Sequence, residues 1–125
     1  MRWLIDSHVF LWWVSDELKV ANPAYSVLSD RTNEVFVSVA TVWELSIKSA
    51  LGKLHVKADW QEQVLLNRMT PIAITMRHAQ MAAALPFHHR DPFDRMLIAQ
   101  ARTEGLTLIT ADARISDYDV RLLMV

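Results

Sequence analysis

The chain has 125 residues, 13 Lys plus Arg against 14 Asp plus Glu for a formal net charge of −1, and no cysteine. That length suits one compact domain with a proper core, while the missing cysteines exclude disulfides, cysteine-based zinc or iron–sulfur sites and thiol nucleophiles. Gly52 and Gly105 are the only glycines, too few for a Rossmann or P-loop phosphate cradle, and the near-neutral balance gives no basic footprint for non-specific nucleic-acid binding.

In chain order, Trp3-Leu4-Ile5 predicts a short buried strand ending at Asp6, and Val9 to Val14 a mostly apolar helix. Asn22-Pro23 predicts an N-cap followed by proline in the first helical position, opening a helix to about Ser29. The β-branched and aromatic run Val35 to Val39 predicts a strand. A helix follows from Thr41 to Leu51, stopped by Gly52. Further helices are expected over Asp59 to Asn67 and Met76 to Leu85, with a short strand at Ile72 to Ile74 between them. Asp91-Pro92 repeats the cap-plus-proline signal and opens a helix to about Glu104, terminated by Gly105. Leu106 to Ile109 and Val120 to Val125 predict the last strands. Short apolar strands separated by helices argue for βαβ crossovers, hence an α/β fold whose parallel sheet is covered on both faces.

Among the acids, the informative ones stand where a carboxylate is costly. Asp6 follows the first strand and Asp112 follows Leu106 to Thr110, so both would overhang the crevice beyond the carboxyl ends of a parallel sheet. Either could equally be a helix N-cap. Glu44 stands three residues after Thr41, a capping-box spacing, yet it also opens the helix beyond the second strand, with Lys48 four residues on. Asp94 shares a helix face with Leu97, Ile98 and Ala101, whereas Arg95, Arg102 and Thr103 take more polar directions. An acid on that apolar stripe needs a partner; Asp91 is more simply the cap. If the sheet is wound as supposed, Asp6, Glu44, Asp94 and Asp112 converge, and four clustered carboxylates require a cation. Oxygen ligands without Cys or His favour Mg²⁺ or Mn²⁺ over zinc, a site suited to metal-assisted phosphodiester hydrolysis.

The stretches Leu4-Ile5-Asp6-Ser7-His8-Val9-Phe10-Leu11-Trp12, Val42-Trp43-Glu44-Leu45-Ser46-Ile47-Lys48 with Gly52-Lys53-Leu54, His89-Arg90-Asp91-Pro92-Phe93-Asp94-Arg95-Met96-Leu97-Ile98-Ala99-Gln100-Ala101, and Leu108-Ile109-Thr110-Ala111-Asp112 occur in this order. In them the sequence resembles the PIN-domain ribonucleases, and among these the VapC-type toxins of bacterial toxin–antitoxin pairs. The resemblance covers essentially the whole chain and implies a single PIN domain over 1–125, a three-layer α/β/α sandwich without a dinucleotide site. It implies a Mg²⁺- or Mn²⁺-dependent endoribonuclease held inactive by a cognate antitoxin, with RNA as substrate and a homodimer face. By position, Asp6, Glu44, Asp94 and Asp112 match the family's acidic quartet. Asp6 and Asp94 would be the firmest ligands, Glu44 and Asp112 binding directly, through water, or at a second metal. Thr110 matches a small polar residue near the last acid, and no acid of the quartet is missing. A PIN nuclease acting in RNA processing outside any toxin pair, and a non-catalytic PIN-fold binding module, are the alternatives.

His8, His88 and His89 lack a metal-binding spacing and are expected at solvent or at helix edges. A Gly-x-Ser-x-Gly hydrolase elbow cannot form, and a phosphoacceptor receiver would want two adjacent acids where this chain has Asp6 alone. Arg90, Arg95, Arg114 and Lys48 stand near the acids in sequence and could steer phosphates. Of the five tryptophans most are expected in the core, but Trp12 and Trp13 are adjacent on one helix, so one of them is expected at an interaction surface. No apolar run approaches the roughly 20 residues of a bilayer span and Asp6 interrupts any signal-peptide core. A soluble, cytoplasmic protein is the expectation.

Overall fold

A computed structural model describes residues 1–56 and 58–125. Five strands, β1 (Arg2–Ile5), β2 (Glu34–Ser38), β3 (Thr70–Ile72), β4 (Thr107–Thr110) and β5 (Leu122–Met124), form one sheet in the order β3-β2-β1-β4-β5. Every pairing is parallel, with Ile5 beside Val37 on one flank and Ile109 on the other. The α-helices are α1 (Ser7–Ser15), α2 (Ala24–Ser29), α3 (Val39–Ala50), α4 (Trp60–Leu66), α5 (Met76–Ala84) and α6 (Pro92–Glu104). No helix among the described residues is long and apolar enough to cross a membrane.

The two-residue period of the strands builds two cores. Trp3, Ile5, Val35, Val37 and Ile109 point to one face, where they meet Val9 and Phe10 of α1, Leu45 of α3, and Trp60 and Val64 of α4. Leu4, Phe36 and Leu108 point to the other, against Leu97, Ile98 and Ala101 of α6, with Ile115 and Tyr118 beyond β4. The sheet is thus a layer between two helical layers, as the α/β reading expected. Strand order reverses at β1, so the crevice of this open sheet falls at the carboxyl ends of β1 and β4.

Several helix ends follow from local chemistry. Asp91 Oδ1 accepts from the N–H groups of Phe93 and Asp94 at 2.8 and 3.2 Å, with Pro92 beginning α6. Gly105 closes α6 in the left-handed region at φ +67°, where a side chain would be strained. Other ends differ from expectation. Pro23 occupies the N-cap position of α2 rather than its first turn, although Asn22 Oδ1 still caps by accepting from Ser26 N–H at 3.1 Å. The capping box expected at Thr41 and Glu44 is absent, because α3 starts earlier and Ser38 Oγ takes the cap, accepting from Ala40 N–H at 3.0 Å. A capping box does form at Thr75 and His78, whose Nδ1 accepts from the Thr75 N–H at 3.0 Å. The strand expected at Ile72 to Ile74 sits two residues earlier, in register with Phe36 to Ser38.

Candidate metal centre

All four predicted acids stand at the carboxyl edge of the sheet. Asp6 ends β1 and caps α1, with Oδ1 accepting from Val9 N–H at 2.9 Å. Its Oδ2 accepts from Thr110 Oγ1 at 2.5 Å, so the last residue of β4 ties down the acid at the end of β1. Asp6 thus caps α1 while standing directly beyond the carboxyl end of β1. Asp112 begins a 3-10 turn (Ala113–Asp117) and caps it, accepting from Arg114 N–H at 3.0 Å. Its own N–H donates to Thr110 Oγ1 at 3.0 Å. One hydroxyl therefore joins the two strand-end aspartates.

Glu44 lies inside α3, buried, and enters the group through Ser7 rather than through another acid. Ser7 Oγ donates to Glu44 Oε1 at 2.5 Å and lies 3.3 Å from Thr41 Oγ1. Lys48 Nζ reaches Oε2 at 3.0 Å from the next turn. Asp94, in the first turn of α6, meets Asp112 across an imidazole. His89 Nε2 is 2.7 Å from Asp94 Oδ2 and 3.3 Å from Asp112 Oδ2. His89 Nε2 thus hydrogen-bonds Asp94 and stands within ion-pair distance of Asp112. One ligand atom from each of the three residues falls within 4.8 Å of the others.

His89 is the residue that sequence reasoning missed. It is only 6% exposed, not a solvent or helix-edge histidine. Arg95 also departs from expectation. Its guanidinium is buried and spent on backbone carbonyls, with Nη2 donating to Ala82 and Leu85 at 2.8 Å and Nη1 to Pro86 at 2.8 Å and His89 at 3.2 Å. It therefore faces no phosphate. Arg114 is exposed and forks onto Asp112, Nε to Oδ1 at 3.0 Å and Nη2 to Oδ2 at 2.8 Å. Trp12 and Trp13 both pack half-buried against the α1-side core, so neither is the expected surface tryptophan. That residue is Trp43, 59% exposed on α3 and paired edge-to-face with Phe93, the ring centroids 5.2 Å apart.

The electrostatics of the acids are unequal. Burial, reinforced by the Asp91 carboxylate, pushes the Asp94 carboxyl up to about 6; Asp6 adds to this, while the His89 hydrogen bond opposes it. Burial also raises Asp6, against the pull of Thr110 and Val9. Asp112 is held below the usual carboxylate range by its hydrogen bond from Arg114. A buried and a half-buried acid that both resist ionising are what a divalent cation would relieve, and their oxygen donors suit Mg²⁺ or Mn²⁺. The residues present fit such an ion.

Known proteins resemble this chain over most of its length. The PIN domain model matches residues 3–121. Ribonuclease VapC22 of Mycobacterium tuberculosis is 28% identical over 119 residues, 92% of this chain and 90% of that protein. Among solved structures, VapBC2 from Rickettsia felis bound to a DNA fragment from its promoter superposes with a TM-score of 0.74 at 15% identity, covering 99% and 98% of the two chains. VapBC-5 of Mycobacterium tuberculosis, a member of the VapBC family of toxin–antitoxin systems, gives 0.64 at 20% identity over 99% and 98%.

Proposed function

The chain belongs to the PIN domain family, and from that premise we propose that it is a Mg²⁺- or Mn²⁺-dependent endoribonuclease, the toxin of a toxin–antitoxin pair. The observation that carries this reading is the grouping of Asp94 and Asp112 around His89 at the carboxyl edge of the sheet, with Asp6 joined to Asp112 through Thr110. Asp6, Glu44, Asp94 and Asp112 would hold the ion, with Asp6 and Asp94 the firmest ligands by the family resemblance. A bound divalent ion supplies an activated water and neutralises charge on the attacked phosphodiester. The chain's own part is to fix the carboxylates. Thr110 orients Asp6, Ser7 orients Glu44, and the fork from Arg114 holds Asp112.

Arg90 and Arg114 rim a cleft of about 450 Å³ beside Asp91, which gives a phosphate chain cations next to the acids. Arg95, engaged by the backbone, has no such role. The family resemblance, the VapC22 relative and the VapBC neighbours support a cognate antitoxin as partner, with RNA as the substrate of the free protein. The exposed stripe Val39, Trp43, Ile47 and Leu51 along α3 is a surface that the antitoxin or a second copy would cover. Residues 1–125 would act as one domain, and the cytoplasm is the compartment in which it would meet RNA.

The test is RNA cleavage by the purified chain with Mg²⁺ or Mn²⁺, stopped by EDTA and by addition of the antitoxin. Full cleavage by both Asp6→Asn and Asp94→Asn would remove the site assignment.

A further inference from the structure

His89 is not one of the four acids, yet it is tied to two acid-bearing elements twice over. Its ring reaches Asp94 of α6 and Asp112 at the head of the 3-10 turn. Its main chain is gripped by residues close to those same acids in sequence or element. Arg95, next to Asp94, donates to the His89 carbonyl at 3.2 Å. Tyr118, directly after the turn that Asp112 caps, accepts from the His89 N–H at 2.9 Å and hydrogen-bonds the Pro86 carbonyl at 2.6 Å. The loop between α5 and α6 is thus pinned at the point where both acids meet.

We propose that His89 is a positioning residue that holds the Asp94 and Asp112 carboxylates at a fixed separation, so that the metal centre is assembled before the ion arrives. Two carboxylates side by side repel, and the fork from Arg114 falls on Asp112 rather than on Asp94. The His89 Nε2, hydrogen-bonded to Asp94 and 3.3 Å from Asp112, stands against both acids, offsets that repulsion and keeps one oxygen of each beside the ring. Partners of this kind orient metal ligands, and their loss typically weakens metal binding about 10- to 100-fold. Arg95 and Tyr118 set where the ring stands. The inference rests on the metal reading above and adds to it a residue outside the quartet.

The experiment is Mn²⁺ titration of the full chain, read from the electron paramagnetic resonance signal of the free ion. His89→Ala is expected to weaken Mn²⁺ binding at least about 10-fold. His89→Gln, whose side-chain amide N–H extends as far as Nε2, is expected to recover most of that loss. Tyr118→Phe, which keeps the ring but frees the loop, gives a smaller loss and decides the matter if His89→Ala does not fold. A folded His89→Ala with wild-type affinity, or a Gln variant as weak as the Ala one, overturns the positioning role and leaves the metal reading standing. A wild-type chain that takes up no Mn²⁺ overturns both. In the metal-free protein, the His89 ring N–H is expected as a slowly exchanging proton resonance; fast exchange of that proton overturns the bridge whatever the metal result.

Discussion

Thr110 Oγ1 donates to Asp6 Oδ2 at 2.5 Å across 104 residues of sequence and also accepts from the Asp112 N–H at 3.0 Å. A single hydroxyl spans the place where the order of the sheet reverses. Thr110→Val keeps the shape and deletes both bonds, leaving the Asp6 oxygen and the Asp112 N–H short of a partner. A loss of about 1–3 kcal/mol in urea unfolding is expected, together with weaker Mn²⁺ binding. Thr110→Ser retains both bonds and is expected to behave as wild type.

Asp94 links stability to pH. Its folded-state carboxyl lies near 6, above the ordinary 3.8, so between those values the folded chain keeps a proton that the unfolded chain releases. The stability this proton contributes is complete below about pH 4 and is lost as pH rises through about 6. Asp94→Asn removes the charge while keeping an acceptor for His89. The metal-free variant is therefore expected to exceed wild type at pH 7 by on the order of 1 kcal/mol, with the difference shrinking toward pH 4. Equal thermal stability of the two proteins across that range would contradict the raised carboxyl. Cleavage by the variant is expected to vanish.

Arg95 has four strong carbonyl acceptors and the Phe87 ring 4.5 Å from its guanidinium carbon. The carbonyls come from the end of α5 and the loop beyond it, where the helix dipole favours a cation. Lysine carries the charge without the planar fork. Arg95→Lys is expected to cost about 2–4 kcal/mol by equilibrium unfolding. A cost under about 0.5 kcal/mol, the usual size for a surface change, would mean the carbonyl contacts contribute little.

Gly105 provides a backbone test. A Cβ there would stand 3.9 Å from Arg121 Nη2, an ordinary contact, so space is not the obstacle. The left-handed φ of +67° is. Gly105→Ala is expected to destabilise by about 1 kcal/mol, and Gly105→Asn by less, measured by thermal unfolding.

What the sequence made legible was chemistry closed within a few residues. Asp91-Pro92 opens α6 and Gly105 ends it because cap, proline and left-handed glycine act locally. The alternating strands and the acids following β1 and β4 could be read because a parallel sheet leaves its carboxyl ends open. His89 and Arg95 could not be read that way. Each is polar by type and takes its role from partners that only the folded chain supplies: Asp112 and Tyr118 for His89, the end of α5 for Arg95. The capping box at Thr41 and Glu44 misled for a related reason. Ser38 offered a nearer cap, which freed Glu44 to turn inward toward Ser7.

The two cores described above also have a bearing on the carboxylates. Asp6 and Glu44 ride on α1 and α3, which pack on one face of the sheet, whereas Asp94 rides on α6, which packs on the other. The gap between them is therefore set by how thick each layer is. An extra methylene beneath α6, at Leu97 or Ile98, would lift Asp94 and leave Asp6 where it stands. Substitutions deep in either core can thus detune the centre without touching it, which makes ion affinity a gauge of how well the two layers match.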